Sequence, residues 1–402
     1  MRQIRLKIQK PLRLKNPRLC LFLFLRLYMT IRKPVDLTGL QQAFSYPRST
    51  AGATSDLLPE LIKAIRDTGP IPFVDYMARC LYDPTHGYYS RPNVPTVSKD
   101  GDFMTSVSVG SVFGRILAAR LHQFWIANGT PTEFCLLEPG GHDGTLAKDI
   151  LSGAAEIDPT FSKALQYKVY EPHPARRQFL SERLGHRASV ISSPNELNAP
   201  IGAVVANEVL DALPVPLLIY SGGEWHEVAV TEKDDQLAWT TLATSFTLAG
   251  NYPDGYVTEG PPDLSSFLKP LAEIFKKALF IFIDYGLDEE SLYHPDRHVG
   301  TLRCYRNHRS NVHPLDEPGT RDLTADVNFT AVERAASVLG LVSHPLMNQS
   351  RYLTYCGRGW LLGSPSATEV RQFQTLTHPS QFGSRFYAAE FTQGEVFRGF
   401  PA

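Results

Sequence analysis

Glu138 stands just ahead of Gly140, Gly141 and Gly144 in the stretch LLEPGGHDGTL. Glycines let the backbone approach a ligand closely and lead into a helix whose N–H groups face it. A phosphate-binding loop would gain nothing from a carboxylate beside it. The dinucleotide spacing G-x-G-x-x-G and the lysine-bearing Walker pattern are both absent, which counts against a nucleotide-dependent oxidoreductase. A carboxylate before the loop suits a ligand with a positive centre. Further on, Glu171 in VYEP can accept hydrogen bonds from both hydroxyls of a ribose. A glycine loop, a cationic centre and a ribose together describe S-adenosylmethionine.

Positioning such groups needs a particular scaffold. FCLLEPG reads as a short apolar strand and TLAKDILSGAAE as the helix after it. QYKVYEP and PARRQFLSERLG repeat that order, and IGAVVANEVLDALP and LFIFIDYG give two further strands. Strands alternating with helices imply parallel pairing through right-handed crossovers. Their apolar runs lack alternation, as expected when both sheet faces are covered. The expected fold class is α/β, an open sheet. Ligands of such sheets bind outside the carboxyl ends of the strands. Glu138, Glu171, Asn207 with Glu208, and Asp284 with Tyr285 all fall at such ends.

Around this core the pattern changes. TSDLLPELIKAIRDTGPIPFVDYMARCLYDP reads as two helices, and SVFGRILAARLHQFWIANG as an amphipathic third. LLIYSGGEWHEVAV carries a Gly-Gly turn between β-rich runs and predicts an antiparallel hairpin. NYPDGYVTEGPPD reads as a turn-rich connector. Beyond Gly300, a helix is expected at FTAVERAASVLGL and a strand at RYLTYCG. Residues 1–50 read as a basic, flexible leader, 51–130 as a helical N-terminal subdomain, and 131–402 as the core. A β insertion near 215–262 and a C-terminal extension belong to that core.

Bulk properties narrow the classes. The net charge is -1, so no global field points to nucleic acid or an anionic membrane. The five cysteines are far apart, without the spacing of a zinc or redox motif, and no metal site is expected. The first acidic residue is Asp36. The apolar run LCLFLFL before Arg26 is too short to span a bilayer. The basic leader fits a mitochondrial address in part, although serine is absent before Ser45, and Met29 is an alternative start.

Several pieces in order resemble the MidA family of methyltransferases. They are FVDYMARCLYDPTHGYY, GDFMTS followed by VFG, LLEPGGHDGTLAKDIL, VYEP, ANEVLDALPV, IDYG, GTLRCY and DLTADVNFTAV, from Phe73 to about Ala331. NE..DALP with IDYG is the strongest pair. The resemblance implies a class I methyltransferase (Rossmann-like) sheet with added N-terminal helices and an inserted antiparallel β element. It implies S-adenosyl-L-methionine as cofactor and methylation of a protein arginine, with a role in respiratory complex I assembly for mitochondrial members. A respiratory complex subunit is then the candidate protein substrate, and a homodimer is one candidate assembly. The expected compartment is the cytoplasm of a bacterial-type cell, with the mitochondrial matrix as alternative.

Residue by residue, the resemblance places Gly101, Asp102, Phe103 and Thr105 in a loop over the cofactor. Glu138, Gly140, Gly144, Glu171 and Asn207 also fall on the cofactor side. Glu208 and Asp211 are candidates for the acceptor side, where carboxylates can pair with a guanidinium, and Asp284 comes second. Three departures bear on this reading. His142 replaces the family's middle loop glycine, as either a polar neighbour of the cofactor or a tolerated exterior residue. Val107-Ser108 replaces Pro-Glu, and Asp326-Val327-Asn328 replaces His-Val-Asp. His142 and the missing Pro-Glu motivate a rival reading, a non-catalytic assembly chaperone or interaction module that keeps the fold.

Overall fold

Leu137, Val204 and Phe280 lie side by side on neighbouring strands, in one of the two cores that flank the sheet. The computed structural model describes residues 35–45, 55–90, 105–305 and 313–394. The expected leader lies largely outside the described residues.

Seven strands run through the central sheet: β1 Phe134–Pro139, β2 Leu165–Tyr170, β3 Ser189–Ile191, β4 Ala199–Asn207, β5 Phe275–Leu287, β6 Val342–Ser343 and β7 Phe386–Gln393. Their order is β3-β2-β1-β4-β5-β7-β6. Strands β1 to β5 pair in parallel, and β7 is antiparallel to both its neighbours. Two short strands, Val327–Asn328 and Met347–Asn348, join β5 and β7.

The side-chain period of two divides each strand between two cores. Leu279, Ile281 and Ile283 of β5 join Phe113, Ile150 and Tyr352 under the helices Val112–Ala127, Thr145–Ile157 and Gln349–Cys356. Phe280 and Phe282 point the other way, to Leu268 and Val332 of the helices Leu264–Ala272 and Phe329–Val338. This double coverage is why the apolar runs read as continuous.

An antiparallel sheet interrupts the core. Leu217–Ser221 and Glu224–Lys233 pair through a Gly222-Gly223 turn with φ of 63° and 86°. Positive φ at both turn residues is what a tight hairpin demands, and glycine supplies it without a Cβ clash. Gln236–Ala243, Val257–Glu259 and the N-terminal pair Ile71–Pro72 complete this sheet. Val257–Glu259 is thus a strand inside the expected connector.

The C-terminal expectations need correction. RYLTYCG is not a strand: Gln349–Cys356 is a helix, begun by the Asn348 side chain accepting from Arg351 N. Tyr352, Leu353 and Cys356 bury one helical face, and that tertiary burial outweighs the β-propensity of Tyr and Thr. β7 is a strand that the sequence pattern did not single out.

Between the helix Val112–Ala127 and β7, Arg120 meets Glu390 with both side chains almost fully buried. Arg120 Nε donates to Glu390 Oε2 at 2.9 Å, and Nη2 pairs with Oε1. Tyr352 Oη donates to Oε2 at 3.1 Å. Removing one partner strands a buried charge. Arg120→Met should cost about 3–5 kcal/mol in urea unfolding. A loss within about 1 kcal/mol, the scale of an exposed pair, would mean that the pair carries little stability.

Candidate functional site

The loop after β1 turns on three left-handed residues. Gly140, His142 and Gly144 have φ of 69°, 41° and 76°. Gly140 N donates to Tyr170 O of β2 at 3.0 Å, which anchors the loop at the strand end. A Cβ on Gly141 would lie 2.4 Å from Val169 Cγ1, and one on Gly144 would lie 2.8 Å from Leu184 Cδ2. The loop therefore lies tight against β2 and the helix Pro174–Leu184. Gly144 leads into the helix Thr145–Ile157, whose first turn Asp143 caps by accepting from Thr145 N at 2.9 Å. His142 is a half-buried side chain on a backbone that favours glycine, and its Nδ1 lies 3.8 Å from Asp143 Oδ1.

Glu138 sits beneath this loop at 3% exposure and accepts from Tyr167 Oη at 2.7 Å. Burial pushes its pKa up to about 7, against the lowering effect of the tyrosine bond. On the neighbouring strand, Glu171 Oε1 accepts from His173 N at 2.9 Å, and Oε2 faces Arg176 Nε at 3.4 Å. Arg176 Nη2 also donates to His142 O at 2.6 Å.

The turn after β4 carries the other acids. Glu208 adopts φ 54° and donates its N–H to Ile283 O at 2.8 Å. Its Oε1 accepts from Asn207 Nδ2 at 3.0 Å and from Ser106 N at 3.2 Å. Burial, then the charge of Asp211, push the Glu208 pKa up to about 8. Asp211 Oδ2 accepts from Tyr285 Oη at 2.6 Å, and burial raises Asp211 to about 6. Asp284 is fully buried at the end of β5. Its Oδ2 accepts from the backbone N–H groups of Val209, Leu210 and Asp211 at 3.0–3.2 Å, and its Oδ1 from Tyr285 N at 2.9 Å.

Glu171, Glu138, Glu208 and Asp284 thus stand at or beside the carboxyl ends of four consecutive strands, β2-β1-β4-β5. The glycine loop and the acidic turn meet there: a Cβ on Gly140 would lie 3.3 Å from Val209 Cγ2. This is where the strand order reverses, the crevice in which open α/β sheets bind ligands. Gly101, Asp102 and Phe103 lie outside the described residues. Thr105 caps the helix Ser106–Val109 in a reciprocal bond with Ser108, and the Ser106 N–H reaches Glu208. A glutamate at position 108 could make the same capping bond as Ser108 does.

Other side chains also border the crevice. Tyr89 Oη donates to Asp322 Oδ1 at 2.9 Å, and Tyr82 stacks on Tyr89 while donating to Ala212 O at 2.8 Å. Arg303 lies over the Tyr285 ring at 5.7 Å and pairs with Asp326 at 2.5 Å. Arg176 and Arg183 had one legible signal: seven residues apart on a helix, they share a face. Among the described residues no group of His, Cys, Asp and Glu has the arrangement of a metal site, and no helix is long and apolar enough to cross a membrane.

The crevice fits S-adenosyl-L-methionine. The glycine loop has no side chain at Gly140, Gly141 or Gly144 to block it, and Glu171 stands at the β2 end, where a carboxylate can accept from ribose hydroxyls. Sheet order, the single reversed strand and this loop define a class I methyltransferase. A family model described as "Putative S-adenosyl-L-methionine-dependent methyltransferase" matches residues 116–347, more than half of the chain. The chain belongs to this family, the MidA methyltransferases, and its cofactor is S-adenosyl-L-methionine.

Its relatives agree. The chain is similar to the mitochondrial protein arginine methyltransferase NDUFAF7 homolog of Drosophila melanogaster, at 27% identity over 89% of this chain and 91% of the relative. Similarity to mitochondrial protein arginine methyltransferase NDUFAF7 of Homo sapiens is 28% over 82% of each. Among solved structures, a Burkholderia thailandensis protein bound to S-adenosyl-homocysteine superposes with a TM-score of 0.77. It shares 26% identity and covers 92% of this chain and 99% of its own.

Two substitutions probe the cofactor face. Glu171→Ala should weaken S-adenosylhomocysteine binding by about 1–3 kcal/mol, the scale of hydrogen bonds to a charged group. Gly141→Ala must displace Val169 or the loop and should weaken binding as well. Calorimetric titration of both variants checks this, and wild-type affinity in Glu171→Ala would remove that carboxylate from the site.

Proposed function

We propose that the protein methylates a cationic protein side chain, an arginine guanidinium, with Glu208 and Asp211 at the acceptor. One observation carries this reading. Glu208 is held through Oε1 alone, and its Oε2 has no hydrogen-bond partner among the described residues. Its strained backbone turns that carboxylate to the crevice edge at the reversal point. The names of the relatives, protein arginine methyltransferases, support a guanidinium as acceptor.

Bound cofactor supplies the methyl group on a positively charged sulfur. The chain's task is alignment and proton removal. Carboxylate oxygens of Glu208 and Asp211 can pair with guanidinium N–H groups and fix the plane of the acceptor nitrogen. As that nitrogen took the methyl group and the sulfur left with the electron pair of the broken carbon–sulfur bond, its proton would pass to Glu208, whose pKa near 8 makes it a stronger base than an ordinary carboxylate. Tyr285 holds Asp211. Asp284 acts through the backbone it binds, as a positioning residue. From the family resemblance we assign Gly101, Asp102, Phe103, Thr105, Glu138, Gly140, Gly144, Glu171 and Asn207 to cofactor binding. The same names place the relatives in mitochondria; the mitochondrial matrix as compartment and a respiratory complex subunit as acceptor are proposed here from the family resemblance.

Glu208→Gln keeps size and removes charge. It should lower turnover by about 10²-fold or more while leaving cofactor affinity within a few-fold. Transfer of labelled methyl to a lysate from cells lacking the gene measures this. Equal labelling by variant and wild type would refute the role.

The raised Glu208 pKa has a sign that can be tested. The folded chain holds this proton more tightly than an unfolded chain, whose carboxyl titrates near 4.5. Its contribution to stability is therefore complete below pH 4.5 and is lost as pH rises through about 8. Activity has the opposite slope, because the carboxylate is the working form. Between pH 6 and 8.5, wild-type kcat/KM for the acceptor should rise more steeply than that of Glu208→Gln. Parallel profiles would exclude Glu208 as the titrating group.

A further inference from the structure

The helix Pro174–Leu184 touches the glycine loop at three places along one face. Arg176, buried at 6% exposure, reaches His142 O through Nη2 at 2.6 Å and Glu171 Oε2 through Nε at 3.4 Å. Two turns further along the same face, Arg183 Nη2 donates to Asp143 Oδ2 at 3.1 Å. At the end of the helix, Leu184 fills the space beside Gly144. The residue gripped most closely, His142, is the one non-glycine residue among the three left-handed positions of the loop. A Cβ in that region meets backbone, so a loop with His142 is inclined to relax out of its shape.

We propose that Arg176 is a positioning residue for the cofactor. Its guanidinium fork ties the strained His142 carbonyl to the Glu171 carboxylate and so holds glycine loop and ribose acid in one geometry before ligand arrives. This rests on the placement of the loop and Glu171 at the cofactor. A planar fork can serve two acceptors in fixed directions, whereas an ammonium is a point donor on a flexible stem. Holding the loop beforehand removes an ordering cost from binding, so the effect falls on cofactor affinity rather than on turnover at saturation. Arginine at 176 and a side chain at 142 are then one coupled device: the clamp matters because the loop lacks its middle glycine.

The experiment is a double-mutant cycle on the full chain with His142→Gly, Arg176→Met and the double variant. Dissociation constants for S-adenosylhomocysteine come from calorimetry, and kcat and cofactor KM from labelled methyl transfer. Arg176→Met should weaken binding by about tenfold or more, raise cofactor KM, and leave kcat at saturating cofactor within about threefold. In the His142→Gly background the same substitution should cost at least about threefold less, because glycine adopts the left-handed backbone without the clamp. Arg176→Lys keeps the charge for one acceptor only and should fall between wild type and Arg176→Met. It also serves as the test variant if the methionine form does not fold. Equal losses with His and Gly at 142, or wild-type affinity in Arg176→Lys and Arg176→Met, would overturn the proposal. Failure of Glu171→Ala to change affinity would instead strike the site assignment beneath it, with the cycle between 142 and 176 still read separately.

Discussion

Asp284 is the buried carboxylate on which the acidic side of the crevice depends. Three successive backbone N–H groups, from Val209 to Asp211, converge on one of its oxygens, and Tyr285 N binds the other. Burial and the neighbouring charges of Asp211 and Glu208 raise its pKa well above the carboxylate range. Keeping such a group inside requires that its hydrogen bonds be complete, so the turn after β4 has little freedom. That turn in turn dictates where Glu208 and Asp211 stand. The left-handed Glu208 is held in place by the bonds on either side of it.

The two halves of the crevice are built on different principles. On the β4 side, strand ends and a buried acid hold a rigid acidic turn. On the β1 side, the loop is shaped by close approach: Gly141 lies on Val169, Gly144 on Leu184, and the His142 carbonyl lies in the grip of Arg176. The inserted antiparallel sheet also reaches the crevice. Glu259 from that sheet accepts from Thr301 N, Leu302 N and Thr301 Oγ1, which sets the segment carrying Arg303. Arg303 then pairs with Asp326 and covers Tyr285, the residue that holds Asp211.

The departures from the family pattern acquire physical meaning in this frame. Ser108 occupies the third helical position after Thr105 and completes a capping box, a task that glutamate also performs. Its presence therefore leaves the helix start beside Glu208 intact. Asp326 pairs with Arg303, and Asn328 caps the helix Phe329–Val338 by accepting from Ala331 N at 2.9 Å. These replacements have partners in the fold.

Much of the core was legible in the residues themselves. β1, β4 and β5 announce themselves as apolar runs because both faces of a parallel sheet are buried; β2 alternates instead, with Gln166 exposed between Leu165 and Tyr167, and an acid stands at or beside the end of each of the four. The Gly-Gly hairpin was legible because two positive φ values leave few residue choices. RYLTYCG and FYAAEFTQ could not be read this way. Short segments with mixed propensity take their state from what they pack on, and Tyr352 turns helical under the sheet while Phe386–Gln393 takes the antiparallel slot beside β5. The types of the acids were evident from sequence alone, but their division of labour was not. Asp284 and Glu208 both follow apolar strands, yet one is enclosed by backbone amides and the other keeps an oxygen free. Sequence determined which strands end in carboxylates; only tertiary structure decided which carboxylate faces inward, because long-range hydrogen bonds between β4 and β5 set that direction.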